Sequence, residues 1–204
     1  MSSTRRPRQK RAQKTVEAIV TAGFQVIATE GNEGFSTRRI AERAGVGIGS
    51  VYEYFADKQA IRDAMREQML ADLLKAIRSQ EDARLHLPPR LIIRELLQSF
   101  HEFLRANDGR YAAFVAHLHP RELDAVFPTL SSSLSQFAVQ YALHHPELVR
   151  VPRIPVISYI AIHGGLAVIR QHLSEAAPRI AFDDLAAGLA DMVDGMLREP
   201  SAPA

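Results

Sequence analysis

The amino-acid sequence predicts an all-α fold, in which a small N-terminal helical domain is followed by a larger helical one. Apolar residues recur every three or four positions along most of the chain, which is the spacing of one helix face. Glycine, asparagine and proline separate these segments, as at Gly31-Asn32 and Pro88-Pro89, where helices end or begin. The chain has 204 residues, of which 47% are hydrophobic, so it can bury a substantial core.

The composition also indicates the cellular compartment and excludes some kinds of chemistry. The chain contains no cysteine, which excludes disulfides, thiol redox sensing and cysteine-ligated zinc. The sequence shows neither a secretory leader nor an uninterrupted apolar run long enough to cross a bilayer. These features predict a cytoplasmic protein without a membrane partner.

Positive charge is concentrated at the N-terminus. Residues 1–60 contain 10 lysines and arginines against 6 acidic residues, whereas the whole chain has a net charge of only +2. Six of the positive charges fall within the first 14 residues, which contain no acidic residue. Such a basic arm next to a helical domain favours contact with phosphate groups.

The stretch over residues 36–58 predicts two short helices joined by a tight turn. Ser36 can cap the first helix, because its hydroxyl can accept a hydrogen bond from a free backbone N–H group. Gly45 stands where a helix ends in a left-handed residue. The second helix is expected from Ile48 to Phe55, with Val51 on its inner side. This is the helix-turn-helix pattern, whose second helix enters the major groove of DNA.

The order of residues in this stretch is distinctive: Glu33-Gly34-Phe35-Ser36-Thr37-Arg38-Arg39-Ile40-Ala41, then Ala44-Gly45-Val46, then Gly49-Ser50-Val51-Tyr52-x-Tyr54-Phe55-x-x-Lys58. This order closely resembles the DNA-binding domain of the tetracycline-repressor (TetR) family of bacterial transcription regulators. The resemblance covers about the first third of the chain. Beyond it, only the architecture can be compared.

The resemblance implies roles for individual side chains. Thr37, Tyr52 and Lys58 resemble the phosphate-contacting residues of the family, and Arg38 falls on a base-contacting position. Arginine bound to guanine is the commonest specific contact in the major groove. Ile48 occupies a groove-facing position but cannot hydrogen-bond a base, which leaves the operator sequence undecided. The full predicted DNA-binding set is Thr37, Arg38, Gly47, Ile48, Gly49, Ser50, Tyr52, Tyr54 and Lys58.

We predict two domains. Residues 1–57 comprise the N-terminal arm and the helix-turn-helix DNA-binding domain, with a helix over residues 13–30 packed behind the motif. Residues 58–204 form a helical effector-binding and dimerisation domain, which begins with a connecting helix over 58–79 that Asp57 is expected to cap. Further helices are expected over 90–105, 111–117, 122–144, 156–173 and around 185–197. Pro128 falls inside the segment over 122–144, so that helix starts late or is kinked there.

The segment over 156–173 is apolar on almost every side, and a helix of that kind must be covered on every side. Gly164-Gly165 in its middle permits a close approach of another helix. With the last helix it predicts a homodimer interface built as a four-helix bundle, as the family resemblance also implies. The alternative is that both helices close the domain's own core. The predicted interface residues are Ile157, Ile160, Ala161, Gly164, Ala167, Val168, Leu189, Met192 and Met196.

Aromatic residues and a few histidines are spread over the predicted helices of the second domain. A mostly apolar set with a few polar groups is the usual lining of a small-molecule pocket, although such residues also form plain core. The family resemblance favours a pocket for an apolar or aromatic effector. The candidate pocket residues are Phe100, Phe103, Tyr111, Phe114, His117, Phe137, Tyr141, Tyr159 and His163.

The eight histidines do not predict a metal site. His117 and His119 are two positions apart, and no histidine pair has the i, i+4 spacing of helical metal ligands. The sequence also shows no phosphate-binding glycine loop, nucleophile elbow or paired carboxylate, so neither a cofactor nor a catalytic residue is expected.

The sequence therefore predicts a ligand-responsive transcription regulator and not an enzyme. In this interpretation a repressor binds a palindromic DNA operator as a homodimer and is released by a small apolar or aromatic effector. Two alternatives stay open at this point. One is a helical enzyme or metal-binding protein whose N-terminal motif misleads, and the other is a constitutive DNA-binding protein that has no effector.

Overall fold

The computed structural model describes residues 5–151, 153–175 and 177–198, without the side chains of residues 5–8, 120, 149 and 150. Within these residues every regular element is a helix, which confirms the predicted all-α fold. Residues 1–4 of the predicted basic arm lie outside the described residues. The helices are α1 (Arg5–Gly34), α2 (Thr37–Ala44), α3 (Ile48–Tyr54), α4 (Lys58–Arg78), α5 (Glu81–Arg84), α6 (Pro89–Arg105), α7 (Arg110–Ala116), α8 (Pro120–Asp124), α9 (Phe127–His144), α10 (Ile154–Ser174) and α11 (Phe182–Leu197), with short 3₁₀ turns at Asn107–Gly109 and Pro146–Arg150.

Two of the expected helix boundaries are corrected by the structure. The first helix begins at Arg5 instead of residue 13. It was expected to end at Gly31, and Gly31 does break the helical conformation, with φ of 64°, although the helix extends to Gly34. The segment over 122–144 is two helices, because α9 begins at Phe127 with Pro128 in its first turn. Proline fits there, since the first N–H groups of a helix have no intrahelical partner to lose.

The chain divides into two compact units. The first contains residues up to 71 together with residues 105–118, and the second contains residues 72–104 and those after 118. This division differs from the predicted boundary at residues 57 and 58, because the first half of α4 and all of α7 pack with the N-terminal helices. Phe24 of α1 lies edge-on to both Tyr111 and Phe114 of α7, with ring centroids 5.2 Å apart in each pair.

The core of the first unit follows directly from the apolar stripe of α1. Its members are fully or almost fully buried with one face of each motif helix and of α4. Burial of these side chains holds the two motif helices in a fixed orientation against α1 and α4. The most deeply buried side chains are Ile19, Phe24, Val26, Ile27, Ile40, Val51, Ile61 and Met65.

The second unit contains two apolar clusters. One joins Leu85 and Ile92 to residues of α9 and to Leu148. The other joins Ile169 of α10 to Phe182, Ala186 and Leu189 of α11, with Leu97 and Phe100 of α6 packed against it. The helices α6, α9, α10 and α11 therefore pack around two small centres.

Helix α10 is largely uncovered in the isolated chain. Only 6% of its most apolar 18-residue window is buried. By length and composition this helix could cross a membrane. Its apolar run is interrupted, however, because Ser158, His163 and Arg170 lie within it. A single helix of this kind is weak support for a membrane span.

Candidate nucleic-acid interface

The helix-turn-helix has the capping geometry that its sequence predicts. Ser36 is the N-cap of α2, and its hydroxyl accepts a hydrogen bond from the backbone N–H of Arg39 at 3.3 Å. Gly45 closes the helix with φ of 67°, a conformation that costs glycine little. Helix α3 then starts at Ile48, directly after the N-cap Gly47. The turn between the two helices is thus fixed by local backbone chemistry.

Helix α3 has one buried side and one exposed side. Val51 is fully buried and Phe55, just beyond the helix, is 7% exposed. On the other side, Ile48, Tyr52 and Tyr54 are 44%, 54% and 40% exposed. An exposed isoleucine and two exposed tyrosines on one short helix are what a recognition helix offers to a groove and its flanking phosphates.

A hydrogen bond joins the two motif helices on their exposed side. The hydroxyls of Thr37, at the first position of α2, and Tyr52, on α3, lie 3.2 Å apart. The structure therefore brings together two of the predicted phosphate-contacting side chains. Their hydroxyls can each bind one further partner, since a hydroxyl has one donor and two acceptor positions.

Arg38 is exposed and engaged only by a surface ion pair. Its Nε donates to Oε1 of Glu42 at 3.1 Å, and 86% of its side chain is exposed. Exposed pairs of this kind contribute at most about 1 kcal/mol. The guanidinium is therefore free to exchange Glu42 for a base edge at small cost.

The remaining arginines of α2 are held by acidic neighbours. Arg39 and Arg43 form ion pairs with the two carboxylate oxygens of Glu30 on α1, at 3.5 and 3.6 Å. These contacts join α2 to the end of α1. The sequence analysis assigned no role to Glu30, because an acidic residue at the end of a helix carries no distinctive signal.

Lys58 is the first residue of α4 and is exposed. The preceding Asp57 accepts a hydrogen bond from the backbone N–H of Ala60 at 2.9 Å, which confirms its predicted capping role. One end of α4 thus combines an exposed ammonium group with the positive end of the helix dipole. Both features favour a phosphate group there.

Two glycines of the motif are not required by the fold. A Cβ atom added to Gly47 or Gly49 would meet no atom within 4 Å, and both residues have φ outside the left-handed region. Their small size therefore serves no contact within the chain. Glycine at these places leaves room for another molecule to approach the backbone of α3.

Arg62 is a functional candidate that the sequence reasoning missed. This arginine on α4 is only 8% exposed, donates to Oδ1 of Asn32 at 3.0 Å and to the backbone carbonyl of His117, and lies over the rings of Phe35 and Phe114. Asn32 donates to the same carbonyl at 3.1 Å. Arg62 therefore ties the loop before α2 to the ends of α4 and α7, all within the first unit.

The predicted pocket residues are divided between the two units. Tyr111, Phe114 and His117 belong to the first unit, where both aromatic rings are buried core. Tyr159 is 65% exposed, with its ring 4.3 Å from that of His163. Among the described residues, no group of three or more histidine, aspartate or glutamate side chains could hold a metal ion.

Phe137 and Tyr141 do line a cavity, which lies within the second unit and has a volume of ≈ 140 Å³. Phe100 packs instead with the α11 cluster, and Phe103 is half-buried outside the cavity lining. Spacing along the chain could not distinguish these cases, because it does not say which helices pack together. The cavity is lined by Pro89, Ile92, Ile93, Leu96, Leu134, Phe137, Ala138, Tyr141, Ala142, Leu148, Ile154, Ile157, Ser158, Ala161, Ile162, Val193 and Leu197.

The predicted interface residues also divide. Ile160, Val168 and Met192 are exposed large apolar side chains, as an interface requires, and Ala167 is exposed beside them. Gly164 and Met196 are half-buried. Ile157 and Ala161 line the cavity, and Leu189 lies in the chain's own core, because α11 turns that residue towards α10 and Phe182.

The first unit is similar to a known family of bacterial proteins. The profile described as "Bacterial regulatory proteins, tetR family" matches residues 19–65, from the core of α1 to the first half of α4. The chain is 41% identical over 54 residues to the tetracycline repressor protein class C of Escherichia coli, a match that spans 26% of this chain and 25% of that protein. It is 24% identical over 178 residues to the HTH-type transcriptional regulator BetI of Burkholderia mallei, covering 87% of this chain and 77% of that protein.

Solved structures resemble the chain over most of its length. The fatty acid degradation regulator FadR from Bacillus halodurans superposes with a TM-score of 0.59 at 19% identity, covering 87% of this chain and 93% of that one. A transcriptional regulator from Rhodococcus sp. Rha1 superposes with a TM-score of 0.58 at 18% identity, covering 89% and 95%. At these identities the likeness shows the fold, which extends through both units.

Proposed function

We propose that this chain, which belongs to the tetR family of bacterial regulatory proteins, is a repressor that binds a palindromic DNA operator as a homodimer and leaves it when a small effector binds. The observation that carries the proposal is the two-sided α3. Its inner side is fixed in the core of the first unit, and its outer side presents Ile48, Tyr52 and Tyr54 next to glycines that the fold does not require.

The proposed division of labour on DNA follows from the positions of the side chains. Thr37, Tyr52 and Lys58 supply two hydroxyls and an ammonium group for phosphate oxygens, which would fix the register of the protein on the duplex. Arg38 is the side chain best suited to read a base, because its fork matches the O6 and N7 atoms of guanine. The methyl groups of Ile48 suit a thymine methyl.

The homodimer is supported by the uncovered face of α10 and α11. Four large apolar side chains there are between 39% and 45% exposed: Val156, Ile160, Val168 and Met192. Exposing apolar surface to water costs free energy, and a second copy that covers these side chains would remove that cost. A Cβ atom on Gly164 would meet nothing within 4 Å, so this glycine leaves room for a partner helix. A symmetric pair of these helices forms an isologous four-helix interface.

The effector part of the proposal rests on the cavity in the second unit. A constitutive DNA-binding protein needs no such space, whereas a ligand-responsive one does. Thermodynamic linkage requires that the effector and the operator weaken each other's binding equally. If the effector weakens operator binding about a hundredfold, which is about 2.7 kcal/mol, then operator DNA must weaken effector binding by the same factor.

The proposal is tested by selecting DNA from a genomic fragment library with the purified full-length protein. We expect enrichment of an inverted repeat whose half-site centres are about 10 base pairs apart, which is one helical turn. On that site, log affinity should fall linearly with log salt, with a slope that reflects several phosphate contacts. A reporter gene placed behind the enriched site should be repressed when the protein is produced.

Two results would overturn the proposal. If no sequence were enriched above random DNA, the proposed binding to a specific operator would be wrong. If a monomer bound a single, unrepeated half-site, the proposed homodimer would be wrong. Activation of the reporter in place of repression would leave the DNA-binding part standing and reverse the sign of regulation.

A further inference from the structure

The cavity in the second unit has an unusually uniform lining. Of the seventeen described residues around it, only Tyr141 and Ser158 carry a polar side-chain atom, and none carries a charge. The walls come from α6, α9, α10 and α11, with Leu148 at one end. The cavity therefore offers apolar contact on every described side and two hydroxyl groups.

The hydroxyl of Tyr141 is already committed as a donor. It donates to the backbone carbonyl of Leu87 at 2.7 Å, and burial, helped by the negative charge of Glu147, raises the pKa of Tyr141 to about 12. Its oxygen can still accept a hydrogen bond, and the hydroxyl of Ser158 can donate or accept one. The polar capacity of the cavity thus suits one hydroxyl or carbonyl group and nothing larger.

The nearest ionic pair does not change this character. Behind the ring of Tyr141, at 4.3 Å, lies the ring of His145, whose Nδ1 is 2.8 Å from a carboxylate oxygen of Glu147 and whose Nε2 is 2.7 Å from the carbonyl oxygen of Leu85. Both ring nitrogens therefore face acceptors. The Glu147 side chain is 68% exposed, so solvent screens its charge and it attracts an ionic ligand in the cavity only weakly.

The volume limits the size of a ligand. An engineered apolar protein cavity of about 150 Å³ holds one benzene molecule, and the present cavity of ≈ 140 Å³ is similar. A carboxylate or ammonium group in such a place would lose its hydration without gaining a partner, which is costly. The apolar lining therefore disfavours ionic ligands, and the volume suits a group about as large as a benzene ring.

We infer that this cavity binds a small uncharged molecule of about six to eight non-hydrogen atoms, largely hydrocarbon, with at most one hydroxyl or carbonyl group to bond the hydroxyl of Tyr141 or of Ser158. The inference names the chemical class of the proposed effector and rests on the proposed function for that role. Binding to the cavity can be measured without DNA, whether or not the ligand acts as the effector. Tyr141 is the contact between the ligand and the link from α5 to α6, because it holds the carbonyl of Leu87.

The test uses four probes of nearly equal shape: toluene, benzyl alcohol, benzoate and benzylammonium. The full-length protein is labelled with 3-fluorotyrosine, which marks its five tyrosines. The fluorine resonance of Tyr141 is the one that disappears in Y141F. Toluene and benzyl alcohol should shift this resonance saturably at millimolar concentration, and shift it more than the resonances of Tyr52 and Tyr54 in the first unit. Benzoate and benzylammonium should bind at least tenfold more weakly.

A cavity-filling variant locates the site. Ala138→Leu places a larger side chain in the lining and should weaken toluene binding at least tenfold, whereas Ala83→Leu on the exposed face of α5 should not change it. If Ala138→Leu does not fold, the resonance of Tyr141 in the unaltered protein still reports the site.

Three outcomes would overturn the inference: no saturable shift with toluene, equal shifts of all tyrosines, or benzoate binding as tightly as toluene. Retention of operator DNA is measured on the same labelled sample. Loss of that retention would count against the proposed function, whereas a failed toluene titration with normal DNA binding would count only against the cavity.

Discussion

The outer face of α3 and the outer face of α10 are both exposed, but their chemistry is opposite. Around α3 the exposed groups are hydroxyls, an isoleucine, bare glycine backbone and nearby cations. Along α10 most of them are hydrocarbon, as at Val156, Ile160 and Val168, with His163 and Gln171 exposed among them. A polar, positively flanked surface suits a polyanion, whereas a largely apolar helix face suits another apolar face. We therefore propose DNA as the partner of the α3 face and a second copy of the chain as the partner of the α10 face.

The largest expected effect comes from placing a charge on the α10 face. Ala167→Asp would bury an unpaired carboxylate in the proposed interface, which is costly enough to separate the subunits. We expect a monomer by analytical ultracentrifugation at micromolar concentration and at least a hundredfold weaker binding to a palindromic site. The matched control is Ala83→Asp, on an exposed position of α5, which should remain dimeric. If the unaltered protein were monomeric at micromolar concentration, the α10 face would not be a dimer interface and the proposed difference between the two faces would be wrong.

The second prediction concerns what holds the α3 face in place. Arg62→Met should remove a charged donor from Asn32 and from the carbonyl of His117, and hydrogen bonds to charged groups contribute about 1.5–3 kcal/mol. We expect a loss of about 2 kcal/mol in the free energy of unfolding, measured by urea denaturation followed by circular dichroism. The control Arg66→Met loses a hydrogen bond to Asp63, three residues away on the same helix, and such pairs contribute about 0.2–0.5 kcal/mol, so it should cost less than Arg62→Met. Equal costs for the two variants would mean that the Arg62 contacts contribute no more than a pair within one helix.

The third prediction separates two roles on the α3 side. Arg38→Ala should cost about 1–3 kcal/mol on the cognate operator and relax preference at one base pair of each half-site. Lys58→Ala should weaken binding to all sequences alike and make the salt dependence shallower, whereas Lys75→Ala, an exposed lysine near the other end of α4, should change neither. Fluorescence anisotropy with operator and random duplexes measures all three. If Arg38→Ala weakened both duplexes equally, the assignment of base readout to Arg38 would be wrong.

The two faces also differ in how far the sequence predicted them. Caps and turns depend on residues only a few positions apart, so Ser36, Gly45 and Asp57 were identified correctly from their neighbours. The hydrogen bonds of Arg62 were not predicted. Arginine side chains are normally exposed, and the partners Asn32 and His117 lie far from Arg62 along the chain.

Long-range packing explains the errors in the second unit as well. Spacing placed Phe114 and Phe137 on equivalent apolar helix faces, and only the fold shows that one lies in the core of the first unit while the other lines a cavity. Leu189 was assigned to the interface with its neighbours on α11, but the rotation of that helix turns it into the core. Periodicity identifies an apolar face and does not identify what covers it.

The smallest expected effect is confined to alkaline pH and concerns Tyr141, on the inner side of the second unit. Its pKa in the folded chain is about 12, raised mainly by burial from an ordinary value of 10, so folding favours the protonated phenol. A folded-state pKa above the unfolded value means that this contribution is fully present below pH 10 and is lost as the pH rises towards 12. The free energy of unfolding should therefore fall less steeply above pH 10 in Tyr141→Phe than in the unaltered chain, and Tyr159→Phe, which changes a 65% exposed ring, provides the control. Urea denaturation at intervals from pH 8 to about 11 measures the three slopes. Parallel slopes for Tyr141→Phe and the unaltered chain would show that the phenol ionises as readily in the folded protein as in the unfolded one, and Tyr141 would then not be the buried donor to Leu87.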